Sequence, residues 1–221
     1  RHDSRVSIGK NAINIRIPAF LNRDEKARER LRMKVLATNM IKENPDRFKP
    51  EPVKEYKEGD VLKIGNDEYI LKIEFKEKES SSARMIGNTI EMRISSHLSK
   101  EKQNKHISTL LSRLIARKRL PELEKKLHEL NTIHFNKPIR KIFFKNMKSR
   151  WGSCSEDGNI NISTRLLFAP EDVLEAVCIH ELAHLTEKNH SDKFWALVEN
   201  AMPNYRETHR WLKENGGSCG F

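Results

Sequence analysis

A chain of 221 residues can bury a sizeable core as one large domain or two small ones. With 37% hydrophobic and 33% charged residues and no apolar run of membrane-spanning length, its composition excludes a membrane-embedded protein and suits a cytoplasmic, soluble one. The net charge of +11 is uneven: residues 102–150 carry 14 Lys/Arg against 3 Glu, so this segment is a candidate contact for nucleic acid or nucleotide phosphates, or else a solvated helix face.

The chain opens on RHDSRVSIGK, which lacks both an initiator Met and the apolar core of a signal peptide, so the numbering can begin inside a longer chain. In VSIGKNAINIRIP, Ile13, Ile15 and Ile17 at period two predict a half-buried strand. A charged helix is expected from about residue 22 or 24 to 43, ended by Asn44-Pro45, and PDRFKPEPVKEYKEGD with its three prolines reads as a loop. VLKIGNDEYILKIEF and TIEMRIS read as strands, and the polar KEKESSSARMIGN between them as a hairpin loop or mobile connection. From Ser99 the pattern is helical, with an apolar stripe at Ile107, Leu110, Leu111, Leu114 and Ile115 that resumes at Leu120 and Leu123, and Pro121 predicts a kink or a second helix start. KPIRKIFFK reads as a strand, and Asp157-Gly158 marks a turn, so SRWGSCSEDGNINIS reads as strand, loop and edge strand. Pro170-Glu171-Asp172 suits a first helical turn, and the following VLEAVCIHELAHL is apolar almost all round, which describes a buried helix. A further helix should begin at Ser191 or Asp192, and RETHRWLKEN should form a last helical piece ended by Gly216-Gly217. Cys154, Cys178 and Cys219 show no disulfide framework, which favours reduced thiols. The fold class is α+β, with a strand-rich region carrying one charged helix over residues 1–98 and a second region over 99–221.

The chemistry concentrates in HELAHLTEKNH (180–190). His180 and His184 are four residues apart, so on a helix they project from one face and can ligate one zinc ion, while the adjacent Glu181 can reach a water on it. Such a site acidifies water and polarises a substrate carbonyl, with Glu181 as general base. A pair of histidines without a metal would sit among Val177, Ile179, Leu182 and Leu185 with no polar partner, at a cost of about 1–3 kcal/mol each. His190 is the favoured third ligand and Glu199 the runner-up. His190 has metzincin-like spacing, but Glu187 stands where that pattern has its turn glycine, so Lys188-Asn189 is expected to make the turn, Asn tolerating left-handed geometry.

Together with SRWGSCS (149–155), Phe194-Trp195 and the stretch from Pro203 through Arg210-Trp211-Leu212, this motif resembles the YgjP-like metal-dependent hydrolases, zincin-type metallopeptidases distantly similar to the SprT-like proteases. The resemblance implies a zincin-like, gluzincin-type metallopeptidase core over residues 99–221 built on a buried HExxH helix. It implies a Zn2+ site of His180, His184 and His190, with Glu181 as general base.

An oxyanion stabiliser is also required, and Tyr205, His209 and Arg210 are the available types. Trp151 is either part of an active-site wall, where an edge strand could pair with an extended peptide, or an anchor for a core turn. Cys154 has no task as nucleophile beside a metal, Cys178 reads as core, and His2, His97, His106, His128 and His134 read as surface residues. The leading reading is a zinc metallopeptidase acting on a peptide or protein. The alternatives are a metal-dependent nucleotide pyrophosphate hydrolase, or a nucleic-acid-associated module with a structural zinc site.

Overall fold

The N-terminal isoleucines form half of a hairpin where the sequence suggested one strand. In the computed structural model, which describes residues 3–8, 13–43 and 54–221, β1 (Arg5–Ile8) pairs antiparallel with β2 (Ile13–Arg16), placing Val6 opposite Ile15. α1 (Arg23–Glu43) starts on a reciprocal cap: Glu25 N–H donates to Asn22 Oδ1 at 2.9 Å, and Asn22 N–H donates to Glu25 Oε2 at 2.8 Å. Met33 and Ala37, one turn apart, are its buried residues. The expected helix stop at Asn44-Pro45, the proline-bearing loop as far as residue 53, and His2 lie outside the described residues. The elements so far belong to a compact unit, Arg1–Val53, and all that follow to a second, Lys54–Phe221.

In the second unit, β3 (Val61–Ile64) and β4 (Asp67–Lys76) form a hairpin whose turn places Gly65 at φ +57°, a left-handed position that suits glycine. β5 (Ser82–Ile86) and β6 (Thr89–Ser95) complete a sheet of order β3-β4-β6-β5, in which β4 and β6 run parallel and the other pairs antiparallel. β5 lies in the stretch expected to be loop. Its inward positions, Ala83 and Met85, are small or flexible and only partly buried, so its apolar signal is weak. The buried face of this sheet, including Tyr69, Leu71, Ile90 and Met92, packs on Ile107, Leu111 and Ile115 of α2 (Lys100–His134).

α2 continues as a single helix through Pro121, with no second start there. Beyond the proline, Leu123, Leu127 and Leu130 enter a second core. Burial on both sides holds the helix together against the hydrogen bond that proline removes. This second core is built on β7 (Lys141–Lys145), β8 (Gly152–Cys154) and β9 (Asn159–Ser163), in the order β7-β9-β8. β7 and β9 pair in parallel, while β8 and β9 pair antiparallel. NINIS, expected at an edge, is therefore the central strand and is buried from Ile160 onward, while β8 takes the edge. After a 3-10 turn (Thr164–Phe168) come α3 (Glu171–Ala183), α4 (Asp192–Ala201) and α5 (Tyr205–Asn215). The architecture is mixed α/β, with five helices and three sheets among the described residues. None of these helices is long and apolar enough to cross a membrane.

Candidate metal centre

α3 buries Val173, Val177, Ile179 and Leu182 in the second core, so its last turn is held firmly. His180 lies in that turn, and His184, at the helix C-terminus, keeps right-handed geometry (φ −66°, ψ −16°). The two imidazoles consequently sit one turn apart on the same side of the helix. The chain then turns back through N–H groups of Leu185, Thr186 and Glu187, which donate to the Leu182 and Ala183 carbonyls at 2.9–3.0 Å. Ser191 N–H donates to Asn189 O at 2.8 Å. Among the described residues only Asn136 is a non-glycine at positive φ, so the expected left-handed turn at Lys188-Asn189 does not occur. A hydrogen-bonded right-handed turn replaces it, and this is why Glu187 can stand where another pattern needs glycine.

This turn returns His190 to the helix end, with its Nε2 3.0 Å from His180 Nε2. One ring nitrogen from each of His180, His184 and His190 lies within 4.8 Å of the others. Nitrogens on one tetrahedral ion at metal–N distances of about 2.0–2.1 Å are about 3.3 Å apart, so the cluster fits a small divalent ion after slight ring movements. The remaining ring atoms are occupied in a way that suits ligation. His184 Nδ1 faces the Glu187 carbonyl at 3.1 Å, which can only accept, so Nδ1 carries the proton and Nε2 keeps its lone pair. His180 Nδ1 meets the Tyr205 hydroxyl at 3.1 Å. Burial first, then the neighbouring His184, His190 and His209, pushes His180 down to about 3, which keeps it a neutral donor. Burial also lowers His184, against the opposing pull of the Glu187 carbonyl.

Phe194, wholly buried, forms a floor shared by all three rings, with centroids 4.9, 4.6 and 4.7 Å from those of His180, His184 and His190. Glu181, 4% exposed, lies against β8. A Cβ at Gly152 would come within 2.6 Å of its Cγ and 2.7 Å of its Cδ. Burial pushes the Glu181 carboxyl up to about 8, with Arg150 pulling the other way.

The other candidates separate. Tyr205 is inside the cluster, and His209 stacks on it with centroids 6.0 Å apart. Arg210 is exposed, and no hydrogen bond or ion pair joins it to the histidines. Glu199 pairs with Arg206 at 2.8 Å. Trp151 holds the start of β8: its ring lies 4.0 Å from the Arg165 guanidinium, and a Cβ at Gly216 would fall 2.9 Å from its Cη2. Burial raises the half-buried Cys154 thiol, with Lys188 opposing, and raises the fully buried Cys178. Sequence reasoning missed Gly152, Arg165 and the Glu187 carbonyl as parts of this assembly, and named Phe194 only in the family resemblance. The one available signal was the SRWGSCS stretch that carries part of the resemblance, whose Gly152 makes room for Glu181.

The profile of the YgjP-like metallopeptidase domain matches residues 4–215. The chain belongs to the YgjP-like family. The three histidines are the group among the described residues that could hold a metal ion. A protein of Escherichia coli K12 described as a UTP pyrophosphatase is 30% identical over 98 residues, 42% of this chain and 58% of that relative. The match thus spans little more than half of the relative's length. Among solved structures, the metallopeptidase zymogen of Pyrococcus abyssi abylysin is 26% identical, with a TM-score of 0.39, over 42% of this chain and 94% of that one. The zymogen of Methanocaldococcus jannaschii jannalysin is 22% identical, with a TM-score of 0.37, over 41% and 93%.

Proposed function

We propose that this YgjP-like chain is a zinc metallopeptidase with a zincin-like core, in which His180, His184 and His190 hold the ion and Glu181 is the general base. The observation that carries the proposal is the convergence of three imidazoles, each resting on Phe194, beside a buried carboxylate. When bound, a divalent ion in this cluster supplies Lewis acidity towards water and towards a carbonyl or phosphoryl oxygen. Glu181 receives a proton at its carboxylate and returns it to the leaving group, held in place by the fit of its side chain against Gly152. The Tyr205 hydroxyl oxygen accepts from His180 Nδ1–H, which orients the ring and leaves Nε2 its lone pair. Among the described residues β8 has a strand partner only on its β9 side, and an extended peptide could pair along its other edge.

The relative described as a UTP pyrophosphatase supports a second reading, hydrolysis of a nucleotide pyrophosphate bond at the same centre. Peptide and nucleotide substrates assayed side by side with wild type and Glu181→Gln decide between them. Loss of the base should lower peptide cleavage by about 10²–10⁴-fold with bound zinc retained. Peptide cleavage untouched by Glu181→Gln would refute the mechanism. Glu181-dependent turnover of nucleotides alone would replace the peptidase reading with the second one.

A further inference from the structure

The positive charge of residues 102–150 is not equally available along α2. In the second half of the helix the cations are neutralised within the fold. Lys118 and Arg119 meet Asp67 at 3.5 and 3.0 Å, Lys125 meets Glu129 at 3.9 Å, and Lys126 lies between Glu171 and Glu175. In the first half, Lys102, Lys105 and Arg113 form no ion pair. Their spacing of three, then eight, places them on one helical face with His106 and Thr109.

That face lines a cavity of about 570 Å³, whose opposite wall is the segment leading into β5. No carboxylate lines it. The wall is tied down: Ser95 N–H donates to Ser81 Oγ at 3.1 Å, and Ser81 Oγ lies 3.2 Å from His106 Nδ1. With its oxygen accepting from Ser95 N–H, the Ser81 hydroxyl can donate a hydrogen bond to Nδ1, and in that tautomer His106 is a donor at Nε2. The result is three unneutralised cations and an imidazole donor around one concavity of ligand-binding size.

We propose that this cavity is a phosphate-binding site for a small ligand with adjacent phosphoryl groups. Like charges held together without carboxylates repel one another, and a multiply charged anion converts that repulsion into charge-assisted hydrogen bonds. Arg113 offers the planar fork that phosphate oxygens accept, and the lysines add mobile point charges. No Phe, Tyr or Trp lines the cavity, so recognition rests chiefly on the phosphates. The site shares no residue with the histidine cluster. Its nearest residue, Arg113, lies about 15 Å along the α2 axis from Leu123, where the helix enters the second core. The proposal therefore stands whichever substrate the metal centre takes.

Calorimetric titration of the full chain with inorganic pyrophosphate tests it, alongside Lys105→Glu/Arg113→Glu and the milder Lys105→Gln/Arg113→Gln. Both positions are exposed, so neither pair of changes removes a core contact. Any heat from pyrophosphate meeting a metal ion is common to all three proteins. Wild type should bind one equivalent saturably, and both variants should bind about tenfold more weakly or worse. Equal affinity in the three proteins would overturn the site. A short single-stranded RNA forms the second arm. Variant-sensitive RNA binding in the absence of pyrophosphate binding would also overturn the proposal, in favour of a nucleic-acid surface.

Discussion

Gly152 illustrates how a residue without a side chain can govern one with a reactive group. Its Cα faces the Glu181 side chain so closely that one added methyl would displace the carboxylate or push β8 away. Displacements of about 1 Å at a reacting group cost about 10²-fold in rate, so Gly152→Ala should lower kcat by about that factor. The bound metal should change little, whereas overpacking against Glu181 should lower the melting temperature by a few degrees. Metal analysis and a thermal melt on the variant check this, and undiminished turnover would show that Glu181 has room to spare. Tyr205 acts at the same scale through another atom. Tyr205→Phe removes the 3.1 Å partner of His180 Nδ1 and leaves the ring in place. Loss of such an outer partner typically lowers metal affinity by about 10–100-fold, measurable by competition with a chromophoric chelator. The histidines were legible in the sequence because all three fall within eleven residues. Gly152, Phe194 and the Glu187 carbonyl were not, since each acts by shape or through the backbone on a partner that only the fold supplies.

At the scale of elements, legibility followed the strength of local signals. α3 and α4 begin at a proline and a capping serine, and α5 ends on glycine, so their extents were readable to within a residue or two. β5 was lost because SARMI buries only Ala83 and Met85 inward and carries Ser82 and Arg84 on its exposed side. The swap of edge and centre between β8 and β9 was not readable, because strand order depends on the parallel partner β7, about twenty residues away in the chain. Pro121 misled in the opposite direction. It is exposed, within an otherwise unbroken helix, and its neighbours Leu123 and Leu127 hold the helix against the core. Pro121→Ala would restore an N–H donor and relieve the ring's clash with the preceding turn without opening a cavity. Since proline inside a helix costs about 3 kcal/mol relative to alanine, the variant should be more stable than wild type, by up to that amount in urea unfolding. A variant no more stable than wild type would mean that the helix has already adapted to the proline.

At the scale of the molecule, α2 is the common member of two cores. Its first half closes the four-stranded sheet through Ile107, Leu111 and Ile115, and its second half closes the α3 core through Leu123, Leu127 and Leu130. Every buried residue of either core lies between Tyr56 and Leu212, within the unit Lys54–Phe221. The strands of residues 54–98 and the helices of 99–221 thus share one unit, although their sequence patterns change character near residue 99. A helix that completes two cores couples them, because removing either core strips half of its buried face. The fragment 54–221 should therefore fold on its own, with a single cooperative transition and the same metal stoichiometry as the full chain. A ligand that binds only the folded state stabilises it by about 4 kcal/mol at a thousandfold excess over its Kd, so chelation should lower the melting temperature of fragment and full chain alike. A fragment that fails to fold would show that residues 1–53 contribute to the core. Two separate transitions would show instead that α2 divides where its sequence suggested, at Pro121.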